Sequence, residues 1–81
     1  MDPPVITTDR DKFGLLICEV EAYLAAQTLY FAWYLDNNYM PGETNQTLVA
    51  MKKGYYSCTV SSAFDEASSS EFKFRKLMIV K

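Results

Sequence analysis

Apolar and polar residues alternate with a period of two along most of this chain, in short runs parted by turn residues. That periodicity predicts half-buried β-strands rather than helices. "LLICEVE" (15–21) places Leu16, Cys18 and Val20 on one face, and "LYFAWYL" (29–35) does the same for Leu29, Phe31, Trp33 and Leu35. "QTLVAM" (46–51) turns Leu48 and Ala50 inward, and "YYSCTVS" (55–61) puts Tyr56, Cys58 and Val60 in phase. "EFKFRKLMIVK" (71–81) closes the chain, with Lys76 interrupting the Phe72, Phe74, Met78, Val80 face; a bulge or a rim position would account for it. "PPVITT" (3–8) reads as an edge strand, where proline is tolerated.

The connectors are short and polar. "DNNYMPGETN", "KKG" and "FDEASSS" read as a connector, a tight turn and a loop tip. "EAYLAAQ" holds good helix formers, and a single helical turn within a loop is one reading of it. Connectors of this length leave no room for crossover helices, so the expected assembly is an all-β, antiparallel sandwich of six to seven strands. Eighty-one residues make a single domain, 1–81, with residues 1–4 expected to be flexible.

Composition narrows the function. The chain has 49% apolar and 15% aromatic residues, which is globular, and a formal charge of −2 with no basic run longer than two, which argues against nucleic acid. No apolar run reaches the roughly 20 residues needed to span a bilayer, and no signal peptide is visible; Met1 is either native or a start that replaced one. With no histidine and no C-x-x-C pair, neither a catalytic triad nor a usual metal site can be built, so no enzyme, metal or cofactor is expected. Glu19 and Glu21 share a strand face about 7 Å apart, but a small open sandwich supplies no cleft for paired-carboxylate chemistry. Cys18 and Cys58, the only cysteines, read as one disulfide in a domain with a marginal core; two buried free thiols in a cytosolic protein are the alternative.

A cysteine (Cys18) on a second strand, a tryptophan (Trp33) on a third and the "Y-S-C" of Tyr56 to Cys58 on a sixth together resemble an immunoglobulin-like domain. The resemblance implies that the cysteines bridge the two sheets, that Trp33 packs on the bridge, and that the Tyr56 hydroxyl bonds to nearby backbone. Two features depart from the family: Lys52 stands where many members carry an acidic residue, and the tract from Trp33 to Cys58 is too short for the extra edge strands of variable-type domains. "FAWYLDNNYMPGETNQTLVAMKKGYYSCTV" is closer to the compact Ig-like and PKD-like repeats of bacterial surface and phage proteins, with animal cell-adhesion domains second.

If Trp33 and the cysteines point inward, the opposite parity points out. Tyr30, Tyr34, Tyr55 and Ser57, joined by Lys73 and Arg75, then form a candidate binding face, since tyrosine gives large contact area at low entropic cost. On the other sheet Leu15, Ile17, Val49 and Met51 would form an exposed apolar packing patch, unless one strand is shifted by a residue. Asn45-Gln46-Thr47 matches the N-glycosylation pattern, which matters only on a eukaryotic secretory route. The expected function is a non-catalytic recognition or adhesion module of a cell-surface or virion protein, extracellular, with a protein or glycan ligand. The alternatives are a spacer or assembly domain that packs on a neighbouring domain or a second copy through the patch, and a secreted or receptor domain of eukaryotic or viral origin.

Overall fold

The computed structural model describes residues 1–21 and 26–75. It is all-β, with strands β1 (Val5–Thr8), β2 (Leu15–Glu19), β3 (Tyr30–Leu35), β4 (Asn38–Tyr39), β5 (Thr47–Val49), β6 (Gly54–Ser61), β7 (Glu66–Ser68) and β8 (Phe72–Phe74). Every pairing is antiparallel, in two sheets: β1-β2-β5, and β4-β3-β6 with β7 and β8 following each other along the far side of β6. The sheets face each other as a sandwich, stitched by the Cys18–Cys58 disulfide between β2 and β6.

The alternation decides which face is buried. Leu16 and Cys18 of β2, Trp33 of β3, and Tyr56, Cys58 and Val60 of β6 are almost wholly enclosed, with Ile6, Leu48, Ala50 and Phe74 completing the core. Trp33 lies directly opposite Cys58 across the β3–β6 ladder, so the indole and the bridge share the centre of the sandwich. Its Nε1 donates to the Asn45 carbonyl at 2.8 Å, as a buried indole N–H requires. Gln46 extends the β2–β5 ladder beyond its last pair: its carbonyl accepts from the Cys18 N–H at 2.8 Å, and its Nε2 donates to the Cys18 carbonyl at 3.0 Å.

Among the described residues eight strands replace the expected six to seven, because two short strands lie in segments whose sequence reads as connector and loop. In "DNN", Asp36 and Asn37 both have positive φ (51° and 67°), a backbone that Asp and Asn tolerate and that closes a tight hairpin, folding Asn38–Tyr39 back as β4. "FDEASSS" is a tip only as far as Asp65; Glu66–Ser68 then pair with β6 as β7. Of the expected last strand, Phe72–Phe74 form β8, and the phase question at Lys76 lies outside the described residues, as does most of "EAYLAAQ".

A one-residue slip separates β7 from β8. Thr59 pairs with Ser68, whereas Tyr55 pairs with Lys73, so β7–β8 holds one residue more than the matching stretch of β6. The excess is taken up at 69–71, where Ser69 substitutes for a ladder pair: its N–H donates to the Cys58 carbonyl at 2.8 Å, and its Oγ accepts the Cys58 N–H at 2.9 Å. As in a β-bulge, the slip reverses parity, so even-numbered residues face out on β7 and odd-numbered ones on β8.

Gly54 opens β6 with φ near 151°, and a Cβ there would meet Leu35 Cδ1 at 2.6 Å and the Asp36 carboxylate at 3.0 Å. Asp36 Oδ1 meanwhile accepts the Tyr55 N–H at 3.0 Å, so glycine is what lets the hairpin close on the start of β6. At the other end of the sandwich Pro4 is buried, and the Met1 ammonium donates to Asp65.

Tyr56 is 1% exposed, and its hydroxyl donates to the Lys52 carbonyl at 2.6 Å. Burial is the main cause that raises its pKa above the usual tyrosine value. A phenol whose folded-state pKa exceeds its unfolded one supports folding fully below the unfolded value, about 10, and that support fades as pH rises through the folded value. Tyr56→Phe is therefore expected to cost about 1 kcal/mol at neutral pH through the lost hydrogen bond. It should also remove one late-titrating phenol from the alkaline ultraviolet titration and flatten the fall of stability above about pH 10. Identical alkaline profiles for the two proteins would contradict this role.

Candidate recognition face

The outer surface of the larger sheet is built in cross-strand rows. Tyr30 lies opposite Ser61, which lies opposite Glu66; Ala32 lies opposite Thr59, which lies opposite Ser68; Tyr34 is flanked by Ser57 on one side and Tyr39 on the other. Strands β3 and β6 carry large and small residues at facing outward positions, so the middle of the sheet sinks into a trough of about 560 Å³. Tyr30, 63% exposed, stands at one end, and the Tyr34 and Tyr39 rings pack at a tilt, 5.8 Å between centroids, at the other. Between them the floor is Ala32 and small hydroxyls, with Thr59 Oγ1 and Ser68 Oγ hydrogen-bonded at 2.9 Å. Glu66 and Glu71 lie on the rim, and no lysine or arginine is among the described residues that line it.

This arrangement regroups the residues singled out from the sequence. Tyr30, Tyr34 and Ser57 line the trough together. Tyr55, 44% exposed, lies beyond it, where the Lys73 ammonium sits 5.7 Å above its ring as a cation–π pair. Lys73 and Arg75 instead border a smaller cavity of about 250 Å³ near Phe13, Phe72 and Phe74. Parity along a single strand could not reveal this separation, because it comes from β7 and β8 pairing with opposite ends of β6. The β7 side of the trough, Glu66 and Ser68, was hidden because three residues, "EAS", carry too little alternation to mark a strand.

On the smaller sheet Leu15 lies opposite Val49, and both face away from the core. Val49 is 59% and Met51 74% exposed, Leu15 and Ile17 are half-buried, and Val5 of β1 adds an exposed corner. Thr7 and Thr47 flank Ile17 and divide the patch, so its apolar part is concentrated around Leu15, Val49 and Met51. Asn45 is exposed, while its main-chain carbonyl is taken by Trp33.

Among the described residues no group of His, Cys, Asp or Glu is arranged to hold a metal ion, and no helix is long and apolar enough to cross a membrane. Comparisons with protein-family models, with curated proteins and with solved structures found no match for this chain.

Proposed function

We propose that this chain is an exported, non-catalytic recognition module of immunoglobulin-like type, carried on a cell or virion surface, and that it holds a protein or glycan ligand on the outer face of its larger sheet. The observation that carries the reading is the trough: Tyr30 and Tyr34 at its ends, Tyr39 packed against Tyr34, and a floor of small hydroxyls, on a sheet whose other face is core. Pockets that orient a ligand pair apolar surface with a few polar groups, and tyrosine supplies both. Support for the immunoglobulin-like kinship comes from the inter-sheet disulfide, from Trp33 opposite Cys58, and from the Tyr56 hydroxyl on the Lys52 carbonyl. Kinship of fold does not name a ligand; the face has to do that. The disulfide supports export, since such bonds persist in oxidising compartments.

The test is to tetramerise the domain and apply it to an array that carries extracellular protein ectodomains beside neutral and anionic glycans. The Tyr30→Ala/Tyr34→Ala protein, shown by circular dichroism to be folded, serves as the comparison. Binding to one class of probe that the double variant loses supports the reading; binding nowhere, or binding that survives the double substitution, overturns it.

A second reading, a spacer or assembly domain, is favoured by Leu15, Val49 and Met51. It predicts self-association in sedimentation that Leu15→Asp and Val49→Asp abolish; a monomer indifferent to both changes argues against it.

A further inference from the structure

We infer that the trough on the larger sheet takes a neutral oligosaccharide, which rests on the recognition reading above and gives it a ligand class. Charge comes first. The trough's rim carries Glu66 and Glu71 with no lysine or arginine among its described lining residues, so phosphate, sulfate and carboxylate groups would meet repulsion there rather than a partner. Among the described residues, the basic Lys73 and Arg75 lie beyond the trough's end, and Lys73 is placed over Tyr55.

Hydrogen-bonding character comes next. Ser57, Thr59, Ser61 and Ser68 each offer a hydroxyl that donates and accepts, and the rim carboxylates accept only. A ligand matched to this surface must donate and accept at many closely spaced positions, as the hydroxyl edge of a sugar does. The tyrosines supply the complementary element. An aromatic ring is negative over its face, and the C–H face of a pyranose ring is apolar and weakly positive, so the two stack.

Length and shape then separate an oligosaccharide from its competitors. Tyr30 and Tyr34 are four residues apart on one extended strand, about 13 Å at the usual rise, which exceeds one sugar ring. Ala32 between them leaves the floor low, so a chain of rings can lie along β3 with one aromatic contact near each end. A protein hot spot, by contrast, needs a closed, desolvated pocket for an anchoring side chain. This trough is open, and apart from its aromatic rings its floor is hydroxyl-rich with only Ala32 as aliphatic surface.

The experiment is an NMR titration of the ¹⁵N-labelled domain with linear neutral tetrasaccharides of glucose, mannose, galactose and N-acetylglucosamine, and with their sulfated counterparts. At least one neutral probe should shift the amides of Tyr30, Ala32, Ser57, Thr59 and Ser68, and its sulfated form should bind more weakly. Tyr30→Ala should weaken binding about tenfold, as loss of one stacking contact implies. Ala32→Gln, which fills the floor and leaves both rings in place, should abolish binding and guards against a Tyr30 variant that fails to fold. No response to any neutral probe at millimolar concentration, tighter binding of the sulfated forms, or shifts confined to Leu15 and Val49 would overturn the assignment. Capture of a protein ectodomain through Tyr30 and Tyr34 with no sugar response would overturn the glycan and leave the recognition reading standing; failure of both arms removes both.

Discussion

Replacing Cys18 and Cys58 together with alanine is expected to bring the domain to the edge of unfolding at room temperature. The bridge joins residues 40 apart, and closing a loop of that size lowers the entropy of the unfolded chain by an amount worth about 4 kcal/mol. A domain of this length has roughly 4–12 kcal/mol in total, so the bridge carries a third of it or more. The contribution is larger than loop closure alone suggests, because both sulfurs are fully enclosed where the two sheets meet and alanine leaves a void there. Urea unfolding of the wild type, of the wild type with reductant, and of the double variant measures this. A loss below about 1 kcal/mol would contradict the account, since chain entropy alone predicts several times as much.

Trp33→Ala carries the second large effect. The indole is wholly enclosed and is the largest buried side chain, so its removal is expected to cost about 3–5 kcal/mol by transfer and cavity formation. It also leaves the Asn45 carbonyl without its partner. Trp33→Phe separates the two contributions: it keeps most of the apolar volume and removes the N–H, so its cost should be well under that of alanine. Because Trp33 lies opposite Cys58, the tryptophan and disulfide changes should not add, and a double-mutant cycle should give a coupling energy of about 0.5–3 kcal/mol. Equal losses for alanine and phenylalanine would mean that the hydrogen bond, rather than packing, holds this position.

Trp33, Tyr56 and Cys58 were the most legible part of the fold, and the reason is physical. Strands β3 and β6 are long enough for a period of two to repeat, and each has one face in the core, so a one-residue error would bury every wrong side chain at once. The shared outward phase of Leu15 and Val49 was legible too, from the inward Leu16 and Leu48 beside them. Shorter elements left no such trace. β4 exists because Asp36 and Asn37 accept positive φ, which local sequence permits but does not require. β7 exists because Ser69 can stand in for a ladder pair on Cys58, a contact between residues that only the fold brings together.

Parity placed Tyr30, Tyr34 and Ser57 on one outer face, and they line one trough. Parity within the last strand turned Lys73 and Arg75 outward, and Lys73 does face out opposite Tyr55, but β8 pairs with the start of β6 while β7 pairs with its end, so both basic residues lie away from the trough. The consequence is chemical: a face expected to mix tyrosine with positive charge is a tyrosine and hydroxyl trough with acidic rims, and a separate Tyr55–Lys73 pair beside it.

The central claim is that the larger sheet recognises and the smaller sheet does not. One array measurement on three folded tetramers tests it most directly: wild type, Tyr30→Ala/Tyr34→Ala, and Leu15→Asp/Val49→Asp. The account predicts that the tyrosine variant loses the probes bound by the wild type and that the patch variant keeps them. Binding kept by the tyrosine variant and lost by the patch variant would contradict it and move recognition to the opposite sheet.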